Sequence, residues 1–180
     1  MPQKKLPGGP TQDEIMAVSL QKLGLQKTDT VLEIGCGTGK VSIAIAREVK
    51  NVIAIDARPE SVAFAKKAAK EAGMKNIQIT EDVAPAFLEG AGKYDCAFVG
   101  GTKNLLAFLP LLSRKVKRTI VINAVLLSTV SDAVSALQEL GLFTEVVQVQ
   151  VSRSHELAGS VMFRPIDPVW IIVGRGTACS

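Results

Sequence analysis

Glu33-Ile34-Gly35-Cys36-Gly37-Thr38-Gly39 follows an apolar run at Thr30-Val31-Leu32 and opens a helical pattern over residues 40–49. An acidic residue, Asp56, ends the next apolar run, residues 52–55. A strand, a glycine-rich turn, a helix and a second strand closed by a carboxylate are how an α/β sheet holds an adenosyl group. Glycine lets the backbone turn tightly and approach the ligand, and the acid accepts from two ribose hydroxyls. Spacing then separates the cofactors. A dinucleotide loop reads G-x-G-x-x-G, with the pyrophosphate at the helix N-terminus. Here the glycines run G-x-G-x-G, and Glu33 stands two residues before the first. A carboxylate at that place suits a ligand with an ammonium or sulfonium group, which points to S-adenosyl-L-methionine rather than to NAD.

Aliphatic residues supply the frame. Hydrophobic residues make up 47% of the 180 and aromatics only 4%, as parallel strands buried between helices require. A chain of this length forms one domain of ordinary size. The formal net charge of +4 admits an anionic ligand without requiring a nucleic acid. Cys36, Cys96 and Cys179 make no C-x-x-C pair and are odd in number, implying free thiols in a reducing, cytoplasmic setting. Lys4-Lys5 runs into Pro7, Gly8, Gly9 and Pro10 instead of an apolar stretch, so no secretion signal is expected. The apolar run over residues 119–127 is far shorter than the ~20 residues of a membrane span. No cluster has metal-ligand spacing.

Residues 1–10 read as a flexible arm and residues 11–180 as a single domain. Thr11-Gln12-Asp13-Glu14 reads as a capping box, with Thr11 as N-cap, for a helix reaching about residue 23. Strands are expected over residues 30–34, 52–55, 76–80, 94–99 and 119–123. Helices are expected over 40–49, 59–72, 103–113 and 128–140, with a short turn or helix near 85–88. The pattern then changes: residues 143–152 partly alternate, as a half-exposed strand does, and residues 169–173 form a last apolar strand. Two strands in succession imply an antiparallel hairpin at the sheet edge. The expected fold is α/β and Rossmann-like, a seven-stranded, mostly parallel sheet with one reversed strand and a C-terminal antiparallel hairpin. Class I methyltransferases share that topology.

The glycine loop, Asp56 and Asp82 together resemble that class, and finer features resemble one family in it. These are Gly9-Pro10-Thr11-Gln12, then Phe98-Val99-Gly100-Gly101-Thr102, then Asn123-Ala124-Val125-Leu126-Leu127, and last Val151-Ser152-Arg153 leading through a loop to Met162-Phe163-Arg164-Pro165. In this order they resemble the decarboxylating precorrin/cobalt-precorrin-6B C15-methyltransferases of cobalamin biosynthesis. The resemblance implies S-adenosyl-L-methionine as cofactor and a reduced tetrapyrrole (a cobalt-precorrin) as substrate, which gains a methyl at C15 while the C12 acetate loses carbon dioxide. The chain is too short for a second, C5-methylating domain, so the likeness is to the stand-alone form.

Candidate site residues follow from both readings. The cofactor set is Thr11, Glu33, Gly35, Cys36, Gly37, Thr38, Gly39, Asp56, Asp82 and Val83. Within it the resemblance places Thr11 against the ligand, and Asp82 and Val83 follow a strand where the class meets adenine. Asp56 and Asp82 are also good helix caps, for the segments near Pro59 and Pro85. Candidate substrate contacts are Gly100, Gly101, Thr102, Asn123, Arg153 and Arg164, since guanidinium groups pair with the carboxylates of a precorrin. Gly100-Gly101 also reads as a left-handed turn. His155 reads as a loop residue rather than a catalytic acid or base, and Cys36 has no neighbouring base to make it a nucleophile. The run Arg114-Lys115-Val116-Lys117-Arg118 has no interleaved aromatics, as a base-stacking surface would want, and suits a helix C-terminus. No catalytic side chain or metal ligand is identified, and no nucleic acid or membrane partner is expected. The edge hairpin is a candidate interface for a homo-oligomer. The rival readings are a methyltransferase of RNA or another small molecule and, more distantly, a non-catalytic S-adenosylmethionine-binding module.

Overall fold

The computed structural model describes residues 9–177. Most of the expected arm, like Cys179, lies outside them. The described chain runs α1 (Asp13–Leu23), β1 (Thr30–Ile34), α2 (Lys40–Ala46), β2 (Asn51–Asp56), α3 (Pro59–Glu71), β3 (Ile77–Glu81), α4 (Ala84–Gly90), β4 (Tyr94–Val99), α5 (Leu105–Lys115), β5 (Val116–Ala124), α6 (Leu127–Glu139), β6 (Phe143–Val149), β7 (Ser152–Leu157), β8 (Ser160–Pro165) and β9 (Val169–Arg175). Seven strands form one sheet in the order β3-β2-β1-β4-β5-β9-β6. β3, β2, β1, β4 and β5 are parallel, and β9 lies antiparallel between β5 and β6, the expected reversed strand.

Side chains alternate between two cores, one on each face. Leu32, Ile34, Ile120 and Ile122 pack with Phe108, Leu109 and Leu137 of α5 and α6. Val31, Val52 and Phe98 pack on the other face with Ile15, Ile45, Val62 and Ala65 of α1, α2 and α3. Glu33 shares the face of Val31 through the two-residue period, which carries its carboxyl beneath α2. Strand order reverses between β1 and β4, where Ile34 pairs with Val99. The crevice above the carboxyl ends of those two strands is where such a sheet accepts ligands.

Five expectations need correction. α1 begins at Asp13 with Gln12 as N-cap and no side-chain cap bond. Thr11 is instead drawn toward α2, its carbonyl accepting from Lys40 Nζ at 2.7 Å, while Glu14 pairs with Arg153. α5 starts at Leu105, two residues later than expected, because Asn104 before it is left-handed at φ 61°. α2 stops at Ala46, and the chain then turns into β2 with the amides of Lys50 and Asn51 donating to the carbonyl of Asp29. The strand expected over residues 143–152 ends at Val149, and the expected loop from Arg153 to Met162, His155 included, belongs to a separate two-stranded ribbon, β7–β8. Its turn, Ala158-Gly159, has φ of 51° and 75°, the positive pair that a tight hairpin needs. Both strands are largely exposed, so no apolar alternation marked them in the sequence.

The basic run across the junction of α5 and β5 serves the fold. Lys117 pairs with Asp95 at 2.9 Å, and Lys115 donates to the carbonyl of Ala91 at 2.6 Å. Arg118 grips Asp29 through two nitrogens, at 3.0 and 2.7 Å, and donates to the carbonyl of Gly24. Asp29 is 2% exposed, so removing its cation strands a buried carboxylate. Arg118→Met is expected to lower stability by about 2–4 kcal/mol, under the full figure for a buried pair because the guanidinium is partly in water. A urea midpoint that falls at constant slope would show it, and a loss below ~1 kcal/mol would contradict this account.

Candidate active site

The turn after β1 is built on close backbone contact. The amides of Gly35 and Cys36 donate to the carbonyl of Ile55, at 2.8 and 3.1 Å, tying the loop to β2. From β4, the amides of Gly100 and Gly101 donate to the carbonyl of Ile34, at 2.9 and 3.0 Å. A Cβ on Gly35, whose φ is +80°, would lie 2.4 Å from the nitrogen of Gly101. Gly100 and Gly101 do not have positive φ, so the left-handed turn considered for them is not formed. They are small because the β1 loop lies against them.

Two cavities open at this crossing. One, of about 430 Å³, is lined by Thr11, Glu33, Cys36, Thr38, Lys40, Asn123, Val125 and Leu126 among others. The second, of about 540 Å³, is lined by Asp56, Asp82, Val83, Lys103 and Asn104 among others. Gly35, Arg58, Gly100 and Thr102 line both. The structure thus brings most of the expected residues to one crevice: Thr11, Glu33, Gly35, Cys36, Gly37, Thr38, Asp56, Asp82, Val83, Gly100, Gly101, Thr102 and Asn123. Gly39 lies behind it, where a Cβ would meet Ala65 of α3 at 3.0 Å. That glycine sets how closely α2 and α3 pack.

Three acids of different character face the crevice. Asp56 is 4% exposed, and its carboxylate accepts from the amides of Gly37 and Arg58, at 2.9 and 3.0 Å, and from the Arg58 side chain. Burial pushes its pKa up, but the hydrogen bonds from Arg58 and Gly37 outweigh it and hold the group below the usual carboxylate range. Asp82 Oδ1 accepts from the amide of Val83 at 2.7 Å, and α4 has no side-chain cap, so its carboxylate is not spent on a helix. Glu33 is wholly buried and accepts from the hydroxyl of Ser42. Burial pushes its pKa up to about 8, with a hydrogen bond from Ser42 opposing and the charge on Asp56 adding to the rise. Burial also pushes the Cys36 thiol up to about 12, so it is not a nucleophile at neutral pH.

Neither candidate arginine lines the two cavities. Arg153 pairs with Glu14, at 2.6 Å for the closer contact, and ties the ribbon to α1. Arg164 sits opposite Arg153 on β8, exposed and outside both cavities. Asn123 does line the crevice. Its amide is held from α1 by Ser19, which accepts at 3.0 Å and gives its own proton to the carbonyl of Ile15 at 2.8 Å.

Residues not named among the candidate contacts complete the wall. Arg58 and Lys40 flank the glycine loop, and Val125 and Leu126, 60% and 62% exposed, form an apolar rim. The signal for the rim was available: Leu126 is the N-cap of α6, a position that favours a small polar residue. Among the described residues, no group of His, Cys, Asp or Glu is placed to hold a metal.

The sheet order, the glycine crossing and the acids at the ends of β1 and β2 define a class I methyltransferase fold. The description "Precorrin methyltransferase domain" belongs to a family whose pattern matches residues 7–174, and the chain belongs to that family. A relative from Methanosarcina acetivorans, called a probable cobalt-precorrin-6B C(15)-methyltransferase (decarboxylating), is 47% identical, covering 95% of this chain and 96% of its own. A relative of the same description from Methanocaldococcus jannaschii is 32% identical, covering 90% and 88%. Among solved structures, a precorrin-6Y C5,15-methyltransferase from Geobacter metallireducens superposes with a TM-score of 0.89 at 30% identity, covering 96% and 94%. A precorrin 8w decarboxylase from Methanobacterium thermoautotrophicum superposes with a TM-score of 0.90 at 29% identity, covering 95% of each chain. A tRNA (m1A58) methyltransferase from Aquifex aeolicus has the same fold at 18% identity, so the fold alone does not choose a substrate.

Proposed function

We propose that this chain methylates C15 of a cobalt-precorrin-6B-type tetrapyrrole from S-adenosyl-L-methionine and releases the C12 acetate carboxyl as carbon dioxide. The observation that carries the reading is a relative of that description matching 95% of a chain whose glycine crossing is intact. When bound, S-adenosylmethionine supplies an electrophilic methyl group on a sulfonium. The two cavities that share Gly35 and Gly100 would take its two halves. Asp56 would take the ribose hydroxyls, and Asp82, beside Val83, the amine on the adenine edge. Glu33, Thr11 and the loop 35–39 would take the amino-acid end.

On the substrate side, the protein's part is to orient and to exclude water. Val125 and Leu126 give an apolar ring face something to lie on, and Gly100, Gly101 and Thr102 leave a flat molecule room. Asn123, held by Ser19, offers a fixed amide at the rim. The nucleophile is an electron-rich carbon of the macrocycle, so no protein nucleophile is required. On decarboxylation the electron pair of the broken C–C bond enters the conjugated ring, and a proton then completes a methyl group at C12. Arg164 and Arg153 line neither cavity and have no part in this picture. No described helix is long and apolar enough to cross a membrane, and a cytoplasmic location goes with the reading.

Incubating the protein with labelled S-adenosylmethionine and a cobalt-precorrin-6B-type substrate tests it by product mass. A gain of one methyl with loss of one carbon dioxide is expected. Cofactor binding without any mass change would remove this substrate, and methyl transfer to tRNA instead would establish the rival reading.

A further inference from the structure

Asp56 has no acceptor capacity left for the ribose hydroxyls assigned to it. A carboxylate offers about four acceptor positions. Oδ1 accepts from the amide and Nε of Arg58, both at 3.0 Å. Oδ2 accepts from the amide of Gly37 at 2.9 Å and from Nη2 of Arg58 at 3.1 Å. The two amides belong to the glycine turn and to the N-cap of α3, and cannot leave without unmaking either. The two side-chain bonds can leave. The Arg58 side chain is 40% exposed and has water to move into. It also stands at the boundary of the two cavities, where the middle of a ligand spanning both must pass. Its Nη2 lies 4.0 Å from where a Cβ on Gly37 would be, over the turn itself.

We infer that Arg58 is a built-in competitor at the ribose subsite, a cation that occupies Asp56 until a vicinal diol displaces it. Until then it keeps the buried carboxylate ionised and aimed. Displacement exchanges two charge-assisted N–H donors for two O–H donors, so only a ligand presenting both hydroxyls replaces what is lost. A ligand with one hydroxyl, or none, leaves Asp56 to the guanidinium. The inference rests on the adenosyl cofactor reading and adds to it a residue which that reading does not need.

Calorimetric titration with S-adenosylhomocysteine and its 2′,3′-dideoxy analogue tests it in the wild-type protein, Arg58→Ala and Arg58→Gln. Both variants are expected to bind S-adenosylhomocysteine roughly two- to fivefold more tightly than wild type, about the worth of one exposed ion pair. Affinity for the dideoxy analogue should not change. Thermal unfolding of each variant checks that the fold is kept, and the glutamine keeps much of the length of arginine without its charge. Weaker or equal binding of S-adenosylhomocysteine by both variants would overturn the inference, since Arg58 would then support the ligand. Equal tightening toward both ligands would also overturn it, showing a steric effect unrelated to the diol. Failure of the wild-type protein to bind S-adenosylhomocysteine at all would instead remove the cofactor reading beneath it.

Discussion

Gly35→Ala is expected to weaken S-adenosylhomocysteine binding by roughly a hundredfold or more and to lower stability by about 2–5 kcal/mol. Two costs add. A φ of +80° is strained for any residue with a Cβ, and that Cβ would stand 2.4 and 2.5 Å from backbone atoms of Gly101. Backbone cannot swing aside as a flexible side chain can. The β1 and β4 loops must therefore part, and the crevice between the two cavities is what they form. Gly73→Ala separates the two costs. Its φ of +70° is similar, but nothing lies within 4 Å of the added atom. That variant should lose only ~1 kcal/mol and bind the ligand normally. If the two variants prove alike in binding, contact between the loops is not what shapes the site.

Glu33 should make both stability and cofactor binding depend on pH. The folded protein keeps the Glu33 proton up to about pH 8, whereas the unfolded chain loses it near 4.5. The stabilisation tied to this proton is thus complete below about 4.5 and is lost as pH rises through about 8. Glu33→Gln keeps a neutral group beside Ser42 and removes the slope, so at pH 9 the variant should be more stable than wild type. Binding should respond the other way. An ammonium group entering beside Glu33 favours its charged form, so the wild-type protein should release a proton as the ligand binds near pH 7. Affinity should accordingly rise with pH until the ligand's own amine titrates. The glutamine variant should bind roughly 10–100-fold more weakly, with no proton released. Titrations in buffers of different ionisation enthalpy count that proton, and the same count for both proteins would exclude this role for Glu33.

Local chemistry made part of this protein readable. Glu33, the glycines and Asp56 sit at fixed short spacings on one βα unit and the strand after it, so their meeting follows from the geometry of consecutive elements. The reversed strand was legible for a similar reason: two β runs with no helix between them must pair antiparallel. Arg153 shows where this stops. Nothing near it in the chain announces Glu14, 139 residues away, yet the fold pairs the two at the ribbon's contact with α1. The basic run was half legible, since its helix-terminal place was clear but the partner of Arg118, 89 residues away, was not. The ribbon β7–β8 was hidden because it buries neither face, and burial is what writes a period of two into a strand.

The sequence by itself determined the sheet, its reversed strand, the glycine turn and the carboxylates at the ends of β1 and β2, all set by neighbours along the chain. Tertiary structure decided which charges remain for a ligand. It gave Arg153 to Glu14, Arg118 to Asp29 and Arg58 to Asp56, and it buried Glu33 beside Ser42. A charged side chain takes its character from what folding places within about 3 Å of it, and that distance is not written in the spacing of residues.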